Sequence, residues 1–201
     1  MGLRLYYSRG LRNQLHGSGA LFYSMDLFIW HAYENFLKEY PIVSSAVQVA
    51  ILGTFGELLG SKIRGKSWFP FTFLQMILKI LVWAFLGITF KLAFTGFFGF
   101  YEALVHKGFW PSFGENLLWR AFSVSVFTNI LFGPVMMCFH RWTDNLIERK
   151  EMNWKTMSSA WLTLIWFWIP AHTLTFSLPA QFQVGRAAVA AAPSVGECHS
   201  L

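Results

Sequence analysis

The chain has 201 residues, of which 55% are hydrophobic and 13% charged. Soluble domains carry roughly 25% charged residues, so the composition excludes an ordinary soluble fold and points to an all-α polytopic transmembrane helix bundle. The net charge of +6 is spread along apolar segments and short loops, a distribution that suits topology and lipid headgroup contact and argues against nucleic acid.

Residues 1–24 hold Arg4, Arg9 and Arg12 with no acidic residue before Asp26. They read either as a mitochondrial-type targeting arm or as an extension ahead of a start at Met25. Residues 25–41 follow a helical spacing through Leu27, Tyr33 and Tyr40, with Asp26, Glu34, Lys38 and Glu39 between. This predicts an amphipathic helix on the membrane surface, ended by Pro41.

The bundle is expected over 42–192, followed by a short tail, 193–201. Its first span, Ile42 to Gly60, carries small residues at Ala46, Ala50, Gly53, Gly56 and Gly60, a face suited to close helix packing. Glu57 interrupts it near its far end. The loop with Lys62, Arg64 and Lys66 has no acid and should face the inner side. Trp68 to Val105 is too long for a plain span and should tilt, bend or leave the bilayer. Counted from Trp68, Lys79 lies ~16 Å in, near the midplane.

Trp119 to Glu148 has no charge between Ala121 and Phe139, about the ~20 apolar residues of a crossing. Gly133-Pro134 predicts a bend, because Pro134 cannot donate to Ile130. The segment ends in a polar cluster of His140, Arg141 and Asp144, with Glu148 a further four residues on, and a solvated helix end is the expected outcome. Met157 to Leu178 is the last span, kinked at Pro170, with His172 beside the kink. About four spans result.

Charges within lipid are costly, ~2.5–3.5 kcal/mol each on insertion scales, so each is a candidate functional group. Glu57, Lys79 and His172 are the pore-lining candidates. Glu57 is expected to pair with Arg141 or Lys62. Cys138 and Cys198 have no metal or redox spacing, and HExxH, paired CxxC, GxxxxGK[ST] and GxSxG are absent. A non-enzymatic protein without metal or cofactor is expected.

Several spacings are similar to those of one family. Tyr33, Leu37 and Pro41 give Tyr-x3-Leu-x3-Pro, and Gly56-Glu57 follows where that family has Gly-Asp. Phe132-Gly133-Pro134 precedes His140 and Trp142; Asn153-Trp154 and Ile169-Pro170 follow. The chain resembles the family of Mpv-seventeen and peroxisomal membrane protein twenty-two, small four-span organelle and bacterial membrane proteins. It departs from that pattern at Leu174, where an arginine is expected. The resemblance implies a weakly selective channel for small solutes or ions in a mitochondrial inner, bacterial plasma or, less readily, peroxisomal membrane. The alternative is a non-catalytic scaffold whose first span mediates homo-oligomer or partner contact. A hydrated interior reaching Lys79 favours the channel; a dry core around it favours the scaffold.

Overall fold

The computed structural model describes residues 28–152, 154–179 and 183, apart from the side chains of 155 and 156. The arm 1–24, the tail 193–201, Asp26, Leu27, Asn153 and Cys198 lie outside the described residues. The chain divides into two compact units, Met1–Tyr40 and Pro41–Leu201. In the first, α1 (28–39) carries exposed Phe28, Ile29 and Trp30 along with a Lys38–Glu34 ion pair one turn apart, at 2.9 Å.

Every regular element described in the second unit is helical. Three helical runs are long and apolar enough to cross a membrane, the mark of an integral membrane protein. They are α2 (Pro41–Ile63), α3 (Phe73–His106) and the run Leu117–Glu148. The third joins α4 (Leu117–Phe127), a π turn (Thr128–Phe132) and α5 (Gly133–Glu148); a further run joins α6 (Trp154–Thr163), a second π turn (Leu164–Trp168) and α7 (Ile169–Phe176). Large apolar side chains such as Ile51, Leu81, Leu131 and Val135 face outward, as a hydrocarbon solvent permits.

Local chemistry sets the helix ends. Pro41 opens α2, where its fixed φ suits a helix and its missing N–H is not needed. Gly65 closes the same helix at φ +73°, its N–H donating to the Lys62 carbonyl at 3.0 Å while that of Lys66 reaches Ser61 at 3.1 Å. This left-handed cap satisfies carbonyls that the last turn leaves open. α5 ends in the same way with a non-glycine residue, Arg149, at φ 55°.

α3 starts at Phe73, five residues later than the apolar run predicts. Ser67 to Phe71, with Pro70, stays non-helical, and Thr72 caps the helix reciprocally with Gln75: Gln75 N–H donates to Thr72 Oγ1 at 3.3 Å and Thr72 N–H to Gln75 Oε1 at 3.0 Å. From there α3 runs as one helix of 34 residues through Gly87, Gly96 and Gly99.

The two prolines are absorbed by changes of helical pitch. Gly133 N–H donates to the Thr128 carbonyl and Ile169 N–H to the Leu164 carbonyl, each five residues back. A π turn thus directly precedes both Pro134 and Pro170, rearranging the ladder where a proline donor is missing. The two runs lie antiparallel: Ser125 Oγ donates to the Ile169 carbonyl at 2.8 Å, and Gly133 lies against Leu164.

α2 and α3 form a tight antiparallel hairpin. Gly53 lies under the Trp83 indole, and a Cβ at Gly87 would come within 2.4 Å of the Ser45 carbonyl oxygen. Gly56 and Gly60 are buried on the same helix. Val49, Trp83, Leu86, Phe94, Tyr101, Ala121, Val124 and Phe176 make the core, tied by the edge-to-face pair of Phe94 and Phe176 at 4.8 Å.

Gly87→Ala should force the hairpin apart and lower stability by about 1–3 kcal/mol. Gly96→Ala, where a Cβ meets nothing within 4 Å, should be neutral or slightly stabilising. Thermal unfolding of both variants in the same detergent checks the contrast.

Candidate functional site

The later start of α3 changes the depth of Lys79. It lies six residues into the helix, about 9 Å along the axis rather than ~16 Å. Glu57 lies six residues before the end of α2, and Asp144 four before the end of α5. The three meet at one level, at the end of the bundle that carries the basic loops.

Lys79 Nζ donates to Glu57 Oε2 and Asp144 Oδ1 at 2.7 Å each and approaches Glu148 Oε1 at 3.0 Å. An ammonium has three N–H donors, and here each has a carboxylate. Glu57 does not pair with Arg141 or Lys62 as expected from the sequence; its counter-ion is Lys79 of α3. Lys79 is 1% exposed, Glu57 4% and Asp144 3%. The expectation of a solvated end from His140 to Asp144 is likewise corrected, because Asp144 is drawn inward by Lys79.

The surrounding groups complete the site. Trp83 Nε1 donates to the second Glu57 oxygen at 2.6 Å. The Trp83 ring lies 4.3 Å from that of His140, whose Nε2 is 3.5 Å from Asp144 Oδ2. Phe71 places its ring 4.6 Å from Lys79 Nζ, a cation–π contact from the non-helical segment before α3. Gln75, besides capping α3, donates to the Ile147 carbonyl at 3.2 Å and fastens that end of α3 to α5. Lys150 pairs with the outer oxygen of Glu148.

Glu57, His140 and Asp144 bring potential metal-ligand atoms within 4.8 Å of one another. The Lys79 ammonium is bonded to both carboxylates, so the centre of the cluster already holds a positive charge. A metal there would have to displace it.

His172 belongs to a different layer. Its Nδ1 lies 3.0 Å from Asn129 Nδ2, which also donates to the Ser125 carbonyl at 2.8 Å. Phe94, Trp168 and Phe176 surround the imidazole at ring distances of 5.1–5.5 Å. Asn129 and Asp144 are fifteen residues apart on one run, about 22 Å. Glu57 and Lys79 thus come together, and His172, on α7 against Asn129 of the first π turn, sits apart from them.

Trp83, Phe71, Gln75 and Asn129 enter these layers without having been singled out, and Asp144, expected in the polar cluster that ends its helix, enters as a partner of Lys79. The Thr72-x-x-Gln75 capping signature was the available signal for the level of Lys79. A lone Asn129 within an uncharged span was the signal for the second layer. Arg141 is half-buried, while Trp142 faces outward at 55% exposure.

No protein-family model, no curated protein and no solved structure matches the chain.

Trp83→Phe leaves one Glu57 oxygen without its indole donor in a dry site, and should cost about 1–3 kcal/mol. Trp142→Phe, on the outer face, should fall within ±0.5 kcal/mol. Chemical or thermal unfolding of both proteins provides the comparison.

Proposed function

We propose that the chain is a four-span membrane protein with an interfacial α1 that forms a weakly selective path for small solutes or ions, closed at its basic end by the Lys79 cluster. The observation that supports this reading is the gathering of three carboxylates from α2 and α5 around one ammonium inside an apolar bundle, read as a closed state. Such a cluster is expensive in lipid. A buried ion pair also gives no more stability than well-packed apolar side chains of the same volume. Its best physical use is as an element with two arrangements, paired and parted.

In the paired state the ammonium, the Trp83 indole and the Phe71 ring fill the space between α2, α3 and α5. In the parted state the same carboxylates would line a polar opening. The two π turns and the Asn129–His172 layer provide a second polar level about 22 Å deeper. The resemblance to the family of Mpv-seventeen and peroxisomal membrane protein twenty-two supports the same reading and favours a mitochondrial inner or bacterial plasma membrane.

The second reading is a non-conducting scaffold, favoured by the 1% exposure of Lys79. The small-residue face of α2 offers it less, since Gly53 is filled by Trp83 of the same chain and Gly56 and Gly60 are buried.

Conductance of purified protein in planar bilayers separates the readings. A gated path predicts small conductance above an empty membrane for wild type and a several-fold rise for Lys79→Gln, which cannot hold three carboxylates. Absence of conductance in both proteins would overturn the path and leave the scaffold.

A further inference from the structure

The segment between α2 and α3 has an inward and an outward side. Inward, Phe71 covers Lys79 and the Thr72–Gln75 cap is fastened to α5 through the Ile147 carbonyl. Outward, Lys62 and Lys66 are exposed, followed by Trp68 at 46%, Phe69 at 71% and Phe73 at 83% exposure. The Gly65 cap bonds Lys66 N–H to the Ser61 carbonyl, so the two lysines stand at the same helix end.

Among the described residues these lysines meet no carboxylate. From residue 58 to residue 101 the chain contains no acid. Glu57, Asp144 and Glu148 are taken by Lys79 and Lys150. Among the described residues, neither Lys62 nor Lys66 makes an ion pair. Two unneutralised ammonium groups beside three exposed aromatic rings have the chemistry of a phospholipid interface: phosphate for the lysines, the glycerol and upper acyl region for Trp68, Phe69 and Phe73.

We propose that this segment is a binding surface for the headgroup of an anionic phospholipid, with Lys62 and Lys66 on the phosphate and Trp68, Phe69 and Phe73 in the interface. Lipid, rather than free phosphate, is the fitting occupant because the apolar rings continue directly from the charged pair. The surface stands whether or not the bundle conducts. It shares one segment with Phe71, so a bound headgroup would hold the cover of the Lys79 cluster in place.

The test is titration of the full chain, in neutral detergent, with phosphatidylglycerol and separately with phosphatidylcholine, counting bound lipids by native mass spectrometry. Each lysine near an anionic headgroup is worth about fivefold in affinity. Lys62→Gln/Lys66→Gln should therefore bind phosphatidylglycerol about 30-fold more weakly than wild type. Trp68→Ala/Phe69→Ala should also weaken binding, and Lys107→Gln, beyond the opposite end of α3, should bind as wild type does. Equal binding of the two lipids, wild-type affinity in the double lysine variant, or full displacement by inorganic phosphate would each overturn the proposal.

Discussion

One ammonium group organises the basic end of this bundle. Lys79 reaches carboxylates on α2 and α5 at once, and with its charge buried it can be satisfied only if all three helices end at the same level. At an effective dielectric near 20, a pair of opposite charges 4 Å apart is worth about 4 kcal/mol, whereas in water it is worth about 1. Desolvation offsets much of that gain, and it makes the loss of one partner far worse than the presence of the set. The cluster therefore acts as a constraint on register more than as a source of net stability.

The packing of α2 on α3 serves the same constraint. Gly87 lets the Ser45 backbone approach, Gly53 admits the Trp83 indole, and Trp83 then turns its N–H onto Glu57. A single aromatic side chain thus couples the apolar contact to the ion-pair layer. At the other level the bundle uses neutral groups. Ser125, Asn129 and His172 satisfy one another where π turns adjust the helices to Pro134 and Pro170. The buried charges among the described residues, Glu57, Lys79 and Asp144, share one layer, and amides and hydroxyls serve at the other.

Much of this was legible in the residues. Composition and apolar run lengths give helices in a membrane, and charges at 57 and 79 stand out against their spans. The small residues of α2 and the prolines at 134 and 170 mark where helices approach or change pitch. The partnership was not legible, because Lys79 and Asp144 are 65 residues apart and nothing local links them. Reading α3 from Trp68 placed Lys79 a turn and a half too deep; the Thr72–Gln75 cap moves it level with Glu57 and Asp144. Asp144 itself looked like a solvated helix end because its neighbours Arg141, Arg149 and Lys150 are polar. Only the fold shows that it faces Lys79.

The most direct measurement is a double-mutant cycle on Lys79→Met and Asp144→Asn, with unfolding followed in one detergent. If the ammonium and the carboxylate constrain each other as described, Lys79→Met alone should cost about 3–5 kcal/mol. The double variant should then be less damaged than the sum of the singles, with a coupling of about 2–3 kcal/mol. Additive losses, with coupling below about 0.5 kcal/mol, would contradict the central place given to Lys79.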